Sequence, residues 1–178
     1  MILNSKNIQL FITDIDGVWT DGGMFYDKAN NELKKFNTSD SVGVLFLRLL
    51  DIPMAIITGE NTKIVKRRAE KLKIKNLFLG IKDKVAVADK LRQKYNLDWN
   101  EIAYIGDDIN DIKLLQKVGL SACPKQAPEY IQNQVNWVLS KNGGEGAFRE
   151  FIEKYLIEKN MLQIALDKYL KINNSLNQ

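Results

Sequence analysis

Apolar and polar residues alternate along this chain in short blocks whose period keeps changing. Three unbroken apolar runs, at 10–12, 54–57 and 102–105, and a fourth at 120–123 interrupted only by Ser121, each stop at turn-forming or polar residues. Runs of that length predict strands buried on both faces, and shorter runs at 77–79 and 137–139 predict two more. Between them, apolar residues recur every three or four positions. This spacing predicts helices over about 61–73, 83–95, 110–118 and 145–155, and a helix through 49 that Ser39 or Asp40 can cap. A small helix is expected at 129–132, after Pro124 and Pro128. Residues 24–26 and 33–36 flank a polar turn at 27–31, the pattern of a β-hairpin. Strands alternating with helices predict an α/β fold with a parallel sheet covered on both faces, and ligands outside the carboxyl ends of its strands. One domain is expected over 1–156. Met161, Ile164, Ala165, Leu166 and Tyr169 form an apolar stripe in a helical extension, 157–178, which docks on the domain or on another chain.

Composition narrows the chemistry. The 178 residues are 45% hydrophobic and 27% charged, enough for a full core without staples. Histidine is absent, which removes the commonest general base, every Ser-His or Cys-His pair and every histidine metal site. A single cysteine, Cys123, excludes an intrachain disulfide and a cysteine zinc cluster. A thiol phosphatase loop would need arginine at 129, where the chain has Glu129, so Cys123 reads as a small buried apolar residue. The net charge of +4 favours anionic ligands without proving a nucleic-acid partner. No apolar stretch is long enough to span a bilayer, and the stretch at 8–12 is too short for a signal peptide; a cytoplasmic protein is expected.

The polar residues that follow the predicted strands carry the candidate chemistry. Asp14 and Asp16 stand two apart at the end of the first strand, so both side chains point to one side, and Gly17 lets the chain turn. Two adjacent anions call for a cation or a shared proton, a setting that suits a divalent metal and phosphate chemistry. An ordinary Asp-Gly turn also accounts for these residues alone. Thr58-Gly59 ends another strand and offers a hydroxyl and free N–H groups to phosphate oxygens, although it is also a common strand-to-helix link. Lys84 opens a helix, where the backbone dipole disfavours a cation, which makes better sense if it faces an anion; a solvated surface lysine is the plainer alternative. Asp107, Asp108 and Asp111 crowd three carboxylates into five residues after Gly106, more than capping explains. The basic run 63–73 reads as a solvated helix face, with nucleic-acid binding as an alternative. If Glu60 starts that helix, Arg68 and Lys71 lie near its face, to neutralise it or to bind a second anionic group of a substrate.

With these sites in this order, the chain resembles the haloacid dehalogenase superfamily of phosphotransferases. The matching motifs are Asp14-x-Asp16-Gly-Val-x-Thr20, Thr58-Gly59, Lys84 and Gly106-Asp107-Asp108-x-x-Asp111. Thr20-Asp21-Gly22 and Gly143-Gly144-Glu145-Gly146-Ala147-Phe148-Arg149-Glu150 are similar to the 3-deoxy-D-manno-octulosonate 8-phosphate phosphatases and their relatives acting on nine-carbon keto-acid 9-phosphates. The resemblance implies a three-layer, Rossmann-like α/β fold with a small β-hairpin and no cap domain. It implies Asp14 as nucleophile, Asp16 as acid and base, and Thr58 and Lys84 as phosphoryl-oxygen ligands. Mg²⁺ would be held by Asp14, Asp107 and the backbone carbonyl of Asp16, with Asp111 orienting Lys84 or a metal-bound water and Asp108 in support. Thr20, Gly59, Glu60, Arg68 and Lys71 would contact the substrate. Octulosonate phosphatases carry arginine where this chain has Glu60, and Glu with a helix lysine resembles the phosphatases of 2-keto-3-deoxy-nononate 9-phosphate. The expected substrate is therefore a nine-carbon keto-deoxy or N-acylneuraminate 9-phosphate, with the octulosonate 8-phosphate of lipopolysaccharide synthesis as the alternative. The subfamily further implies a homotetramer with the hairpin at its centre, the loop at Gly143 closing a neighbour's site, and no nucleic-acid or membrane partner.

Overall fold

The structure is a computed structural model and describes residues 7–176. The apolar runs become six parallel strands: β1 (Leu10–Thr13), β4 (Met54–Ile57), β5 (Asn76–Phe78), β6 (Ile102–Ile105), β7 (Leu120–Cys123) and β8 (Trp137–Val138). They lie in the order β5-β4-β1-β6-β7-β8, with β1 between β4 and β6 at the middle. Between β1 and β4, β2 (Phe25–Tyr26) and β3 (Glu32–Leu33) form the separate antiparallel hairpin.

Strand periodicity divides the core. Phe11, Ile56, Ala103 and Ile105 face one side of the sheet, towards residues of α1 (Asp40–Leu49), α2 (Lys63–Lys71) and α6 (Ala147–Glu158). Leu10, Ile12, Ala55, Ile57, Ile102 and Tyr104 face the other, towards α3 (Lys84–Lys94), α4 (Ile112–Leu115) and α5 (Glu129–Gln132). The result is the expected three-layer sandwich, its central strands fully buried on both faces. Only the hairpin separates β1 from α1, and β5 alone lies between α2 and α3, so no cap domain is inserted at either place.

Helix ends differ from the sequence expectation where side chains take over backbone partners. The helix predicted from 61 starts at Lys63, because the Thr62 hydroxyl accepts the Val65 N–H. The helix predicted over 110–118 is shorter: a 3₁₀ turn at Ile109–Asp111 leads into the four residues of α4. The helix predicted over 145–155 waits until Ala147, since Gly146 has φ +94°, and then runs on to Glu158 across the division drawn after 156. The tail helix, α7 (Leu162–Leu176), packs on α1 and α6. Ala165 is fully buried there, but Ile164 and Tyr169 stay about half exposed. Among the described residues no helix is long and apolar enough to cross a membrane.

Candidate active site

The polar residues that follow β1, β4 and β6 meet at one end of the sheet. Asp14, Asp16, Thr58, Gly59, Glu60, Asp107, Asp108 and Gln126 all line a cleft of about 340 Å³ at the carboxyl ends of the central strands. Parallel strands bring their ends together, so residues far apart in sequence share one mouth.

Lys84 lies beneath this cleft. It is the first residue of α3, with Asp83 as the cap accepting the Ala86 N–H at 3.0 Å. Its side chain is 1% exposed, and its Nζ donates to Asp14 Oδ2 at 2.6 Å and Asp111 Oδ1 at 2.5 Å. Burial alone would lower the ammonium, but the charges of Asp14 and Asp111 outweigh it and hold Lys84 above its usual range. Burial pushes the Asp14 carboxyl up to about 6, with Asp111 adding to the rise and Lys84 opposing it. The solvated-lysine alternative is excluded. Asp111 is committed on both sides: Oδ1 accepts from Lys84 and from the Tyr104 hydroxyl, and Oδ2 accepts the N–H groups of Asp107 and Asp108. It is a brace that fixes Lys84 and the turn after β6.

The same region fits a divalent cation. Asp14, Asp107 and Asp111 offer oxygens within 4.8 Å of one another. Three carboxylates against the one ammonium of Lys84 leave two negative charges. Asp111 has no oxygen to spare, which leaves Asp14 and Asp107 as the side chains of this group that could hold an ion. Asp107 Oδ1 is buried and accepts no hydrogen bond among the described residues. Burial, then the charges of Asp14, Asp111 and Asp108, push the Asp107 carboxyl up to about 8. A hard divalent ion relieves both the unpartnered oxygen and the repulsion. Gly17 makes the arrangement possible. It sits at φ +76°, and a Cβ there would fall 1.8 Å from Asp107 Oδ2.

Not every expected residue reaches the cleft. Thr20, expected at the substrate, is fully buried, and its hydroxyl accepts the N–H groups of Gly17 and Gly22 and bonds Asp16; it braces the turn after β1. Glu60 does not start α2, and among the described residues it forms no ion pair. Arg68 instead donates from Nη2 to the Asn37 carbonyl and lies over the Phe36 ring, close enough to Asp40 to feel its charge. Lys71 is exposed outside the cleft walls. Lys63, Lys66 and Arg67 are exposed as well, as a solvated helix face requires. The loop at Gly143 closes on its own chain: Gly144 N–H donates to the Val18 carbonyl, and a Cβ on Gly143 would meet Gly17 O at 1.9 Å.

Three residues at the site lie outside the motif pattern. Tyr104 is the buried partner of Asp111. Gln126 ties the two glycine turns together, donating to the Gly17 carbonyl at 2.7 Å and accepting the Gly143 N–H at 2.8 Å. Lys34, just after β3, reaches Asp16. Neither Lys34 nor Gln126 carries a signal in the local sequence pattern, since both reach the site across the fold.

Comparison with known proteins agrees with this geometry. A family model described as haloacid dehalogenase-like hydrolase matches residues 2–151. The 3-deoxy-D-manno-octulosonate 8-phosphate phosphatase of Haemophilus influenzae is 38% identical over 151 residues, covering 85% of this chain and 84% of that protein. The Yersinia pestis enzyme of the same name is 35% identical, covering 93% and 88%. A Moraxella catarrhalis octulosonate phosphatase, solved with magnesium, phosphate and the sugar acid, superposes with TM-score 0.89 at 32% identity, covering 94% of this chain and 97% of that one. With paired aspartates at the strand end, a buried lysine clamp and a carboxylate pair in the same fold, the chain belongs to the haloacid dehalogenase-like hydrolases, in the branch that holds the octulosonate 8-phosphate phosphatases.

Proposed function

We propose that this protein is a Mg²⁺-dependent phosphomonoesterase of a keto-deoxy sugar acid phosphate. The observation that carries this reading is the buried Lys84, held between Asp14 and Asp111 under a cleft where Asp107 keeps an unpartnered oxygen. Asp14 attacks phosphorus, the ester P–O bond breaks, and Asp16 passes a proton to the departing sugar oxygen. Water then attacks the aspartyl-phosphate, Asp16 takes its proton, and the Asp14–phosphorus bond breaks. Lys84 and the Thr58 hydroxyl stabilise the charge on the phosphoryl oxygens. Asp14, Asp107 and the Asp16 carbonyl would hold the Mg²⁺, which supplies charge neutralisation for the phosphoryl group. The solved Moraxella catarrhalis relative, with magnesium and phosphate bound, supports this reading.

The names of the relatives favour 3-deoxy-D-manno-octulosonate 8-phosphate as the substrate, and the weight moves to that alternative. One observation favours the nine-carbon reading: Glu60 is exposed on the cleft wall and forms no ion pair among the described residues, which leaves its carboxylate to accept sugar hydroxyls. Phosphate release from octulosonate 8-phosphate, deoxy-nononate 9-phosphate and N-acetylneuraminate 9-phosphate, with Asp14→Asn as blank, decides between them. Octulosonate preference unaltered by Glu60→Arg discards the nine-carbon reading, and turnover of none discards the substrate class. The working unit we propose is a homotetramer packed through the hairpin, whose Met24, Phe25, Tyr26 and Leu33 are 42–69% exposed in the single chain. A monomer mass by light scattering with full activity would refute it.

A further inference from the structure

The hairpin also brings a cation into the site. Lys34 Nζ lies 2.6 Å from Asp16 Oδ1, and the Lys34 side chain is 0% exposed. Glu32 Oε1 stands 3.7 Å from the same ammonium. The neighbours of Lys34 in sequence, Leu33 and Lys35, both face solvent, so the alternation of an extended chain turns Lys34 alone inward. Ordering a whole lysine side chain costs rotamer entropy, and burying its charge requires a matched anion. The anion is the side chain expected to move protons in both halves of the reaction.

The two oxygens of Asp16 are used unequally. Oδ1 takes the Lys34 ammonium and, at 3.4 Å, the Thr20 hydroxyl. Oδ2 is buried and has no hydrogen-bond partner among the described residues, while Asp16 lines the cleft. A carboxylate pinned through one oxygen cannot rotate freely, and Oδ2 is left as the oxygen without a partner among the described residues. We propose that Lys34 is a positioning residue: it pins Asp16 through Oδ1 so that Oδ2 is presented to the water that hydrolyses the aspartyl-phosphate. This rests on the phosphatase reading above. In that step the water oxygen bonds to phosphorus, its proton passes to Asp16 Oδ2, and the bond from phosphorus to the Asp14 oxygen breaks. Lys34 touches none of these atoms and acts through Asp16 alone. The competing explanation is mechanical, with the ion pair serving only to anchor a two-stranded hairpin that is marginal by itself.

The two explanations separate with an aryl ester, p-nitrophenyl phosphate, whose leaving group needs little protonation. Asp14 is then phosphorylated without help from Asp16, and only the second step feels Lys34. In rapid-mixing assays with Mg²⁺, Lys34→Met is expected to give a burst of about one nitrophenolate per site. Its steady rate should fall about 10- to 100-fold below wild type, less than the roughly 10²–10⁴-fold that a positioned base contributes, because Asp16 itself remains. Lys34→Arg, which keeps charge and donor, should abolish the burst and recover most of the steady rate. A mechanical anchor instead lowers burst and steady rate together. That outcome, an unchanged steady rate, or a Lys34→Arg variant as impaired as Lys34→Met overturns the proposal. The arginine variant keeps the test open should Lys34→Met fail to fold, since wild-type-like kinetics support the proposal and impaired kinetics with an intact fold overturn it. Wild-type protein that turns over no phosphate ester overturns the phosphatase reading, and this proposal with it.

Discussion

Replacing Asp107 with asparagine should make the metal-free protein more stable while destroying its response to Mg²⁺. Burial and the nearby carboxylates raise Asp107 from an ordinary 3.8 to about 8. The folded state therefore binds this proton more tightly than the unfolded chain does. Below pH 3.8 both states are protonated and the carboxyl costs nothing; as pH rises from 3.8 towards 8, the fold retains a proton that the unfolded chain releases, and stability falls. At ~1.4 kcal/mol per pH unit, the full cost at pH 7.5 reaches about 5 kcal/mol. Water reaching this half-buried carboxylate screens part of it, leaving about 2–4 kcal/mol. For a chain of this size that is a rise of roughly 5–15 °C in Tm for Asp107→Asn in EDTA at pH 7.5, and little change near pH 4. Asparagine keeps the volume, and among the described residues Oδ1 accepts no hydrogen bond that the change could remove. Scanning calorimetry with EDTA and with excess Mg²⁺, at both pH values, provides the test. An Asp107→Asn variant no more stable than wild type in EDTA at pH 7.5 would refute the electrostatic argument, as would a gain equal at both pH values. A wild-type-sized Mg²⁺ shift in the variant would refute the assignment of Asp107 as ligand.

Other changes at and below the site have equally definite outcomes. Lys84→Met leaves Asp14 and Asp111 buried without their cation; it should cost about 3–5 kcal/mol in urea unfolding and abolish phosphate release. Gly17→Ala forces a non-glycine residue to φ +76° and drives its Cβ into Asp107. Beyond roughly 1–2 kcal/mol of backbone strain, titration calorimetry should find Mg²⁺ binding weakened at least about tenfold, a loss on the scale of 1.4 kcal/mol. Asp40 is fully buried at the start of α1 and accepts the Arg149 N–H, and burial raises its carboxyl to about 6. Asp40→Asn should add about 1–3 kcal/mol to urea stability at pH 7.5 and nothing at pH 4, because a raised carboxyl costs stability only above its ordinary range.

The sheet was legible because its strands are buried on both faces. Such strands read as near-continuous apolar runs, and the four longest, at β1, β4, β6 and β7, were placed within a residue. The two edge strands, β5 and β8, are short, and the runs at 77–79 and 137–139 match them to within one residue at each end. Helix ends were less legible, since they depend on where a side chain intercepts a backbone group. Thr62 ends the run before α2 and Asp111 shortens the helix after β6, and neither effect follows from periodicity.

The same distinction explains which site residues emerged. Asp14, Thr58 and Asp107 follow the ends of strands, and Lys84 opens a helix, so the topology that fixes the sheet also fixes them. Partners that act across the fold have no such anchor. Lys34 meets Asp16 from 18 residues away, and Gln126 meets Gly17 from 109, through loops whose paths no local pattern encodes. The error at Arg68 was one of phase. Counting 3.6 residues per turn from Glu60 puts Arg68 near its face, but the helix begins only after Thr62. Everything between Glu60 and the cap belongs to a loop with no helical phase, so the count had no valid origin. Measured from its true start, α2 turns Arg68 towards Asn37 and Phe36, just ahead of α1, where it serves the charge of Asp40. Glu60 is thereby left on the cleft wall with no ion pair among the described residues, and the opposing charge that a carboxylate-bearing substrate needs has to come from elsewhere than this arginine.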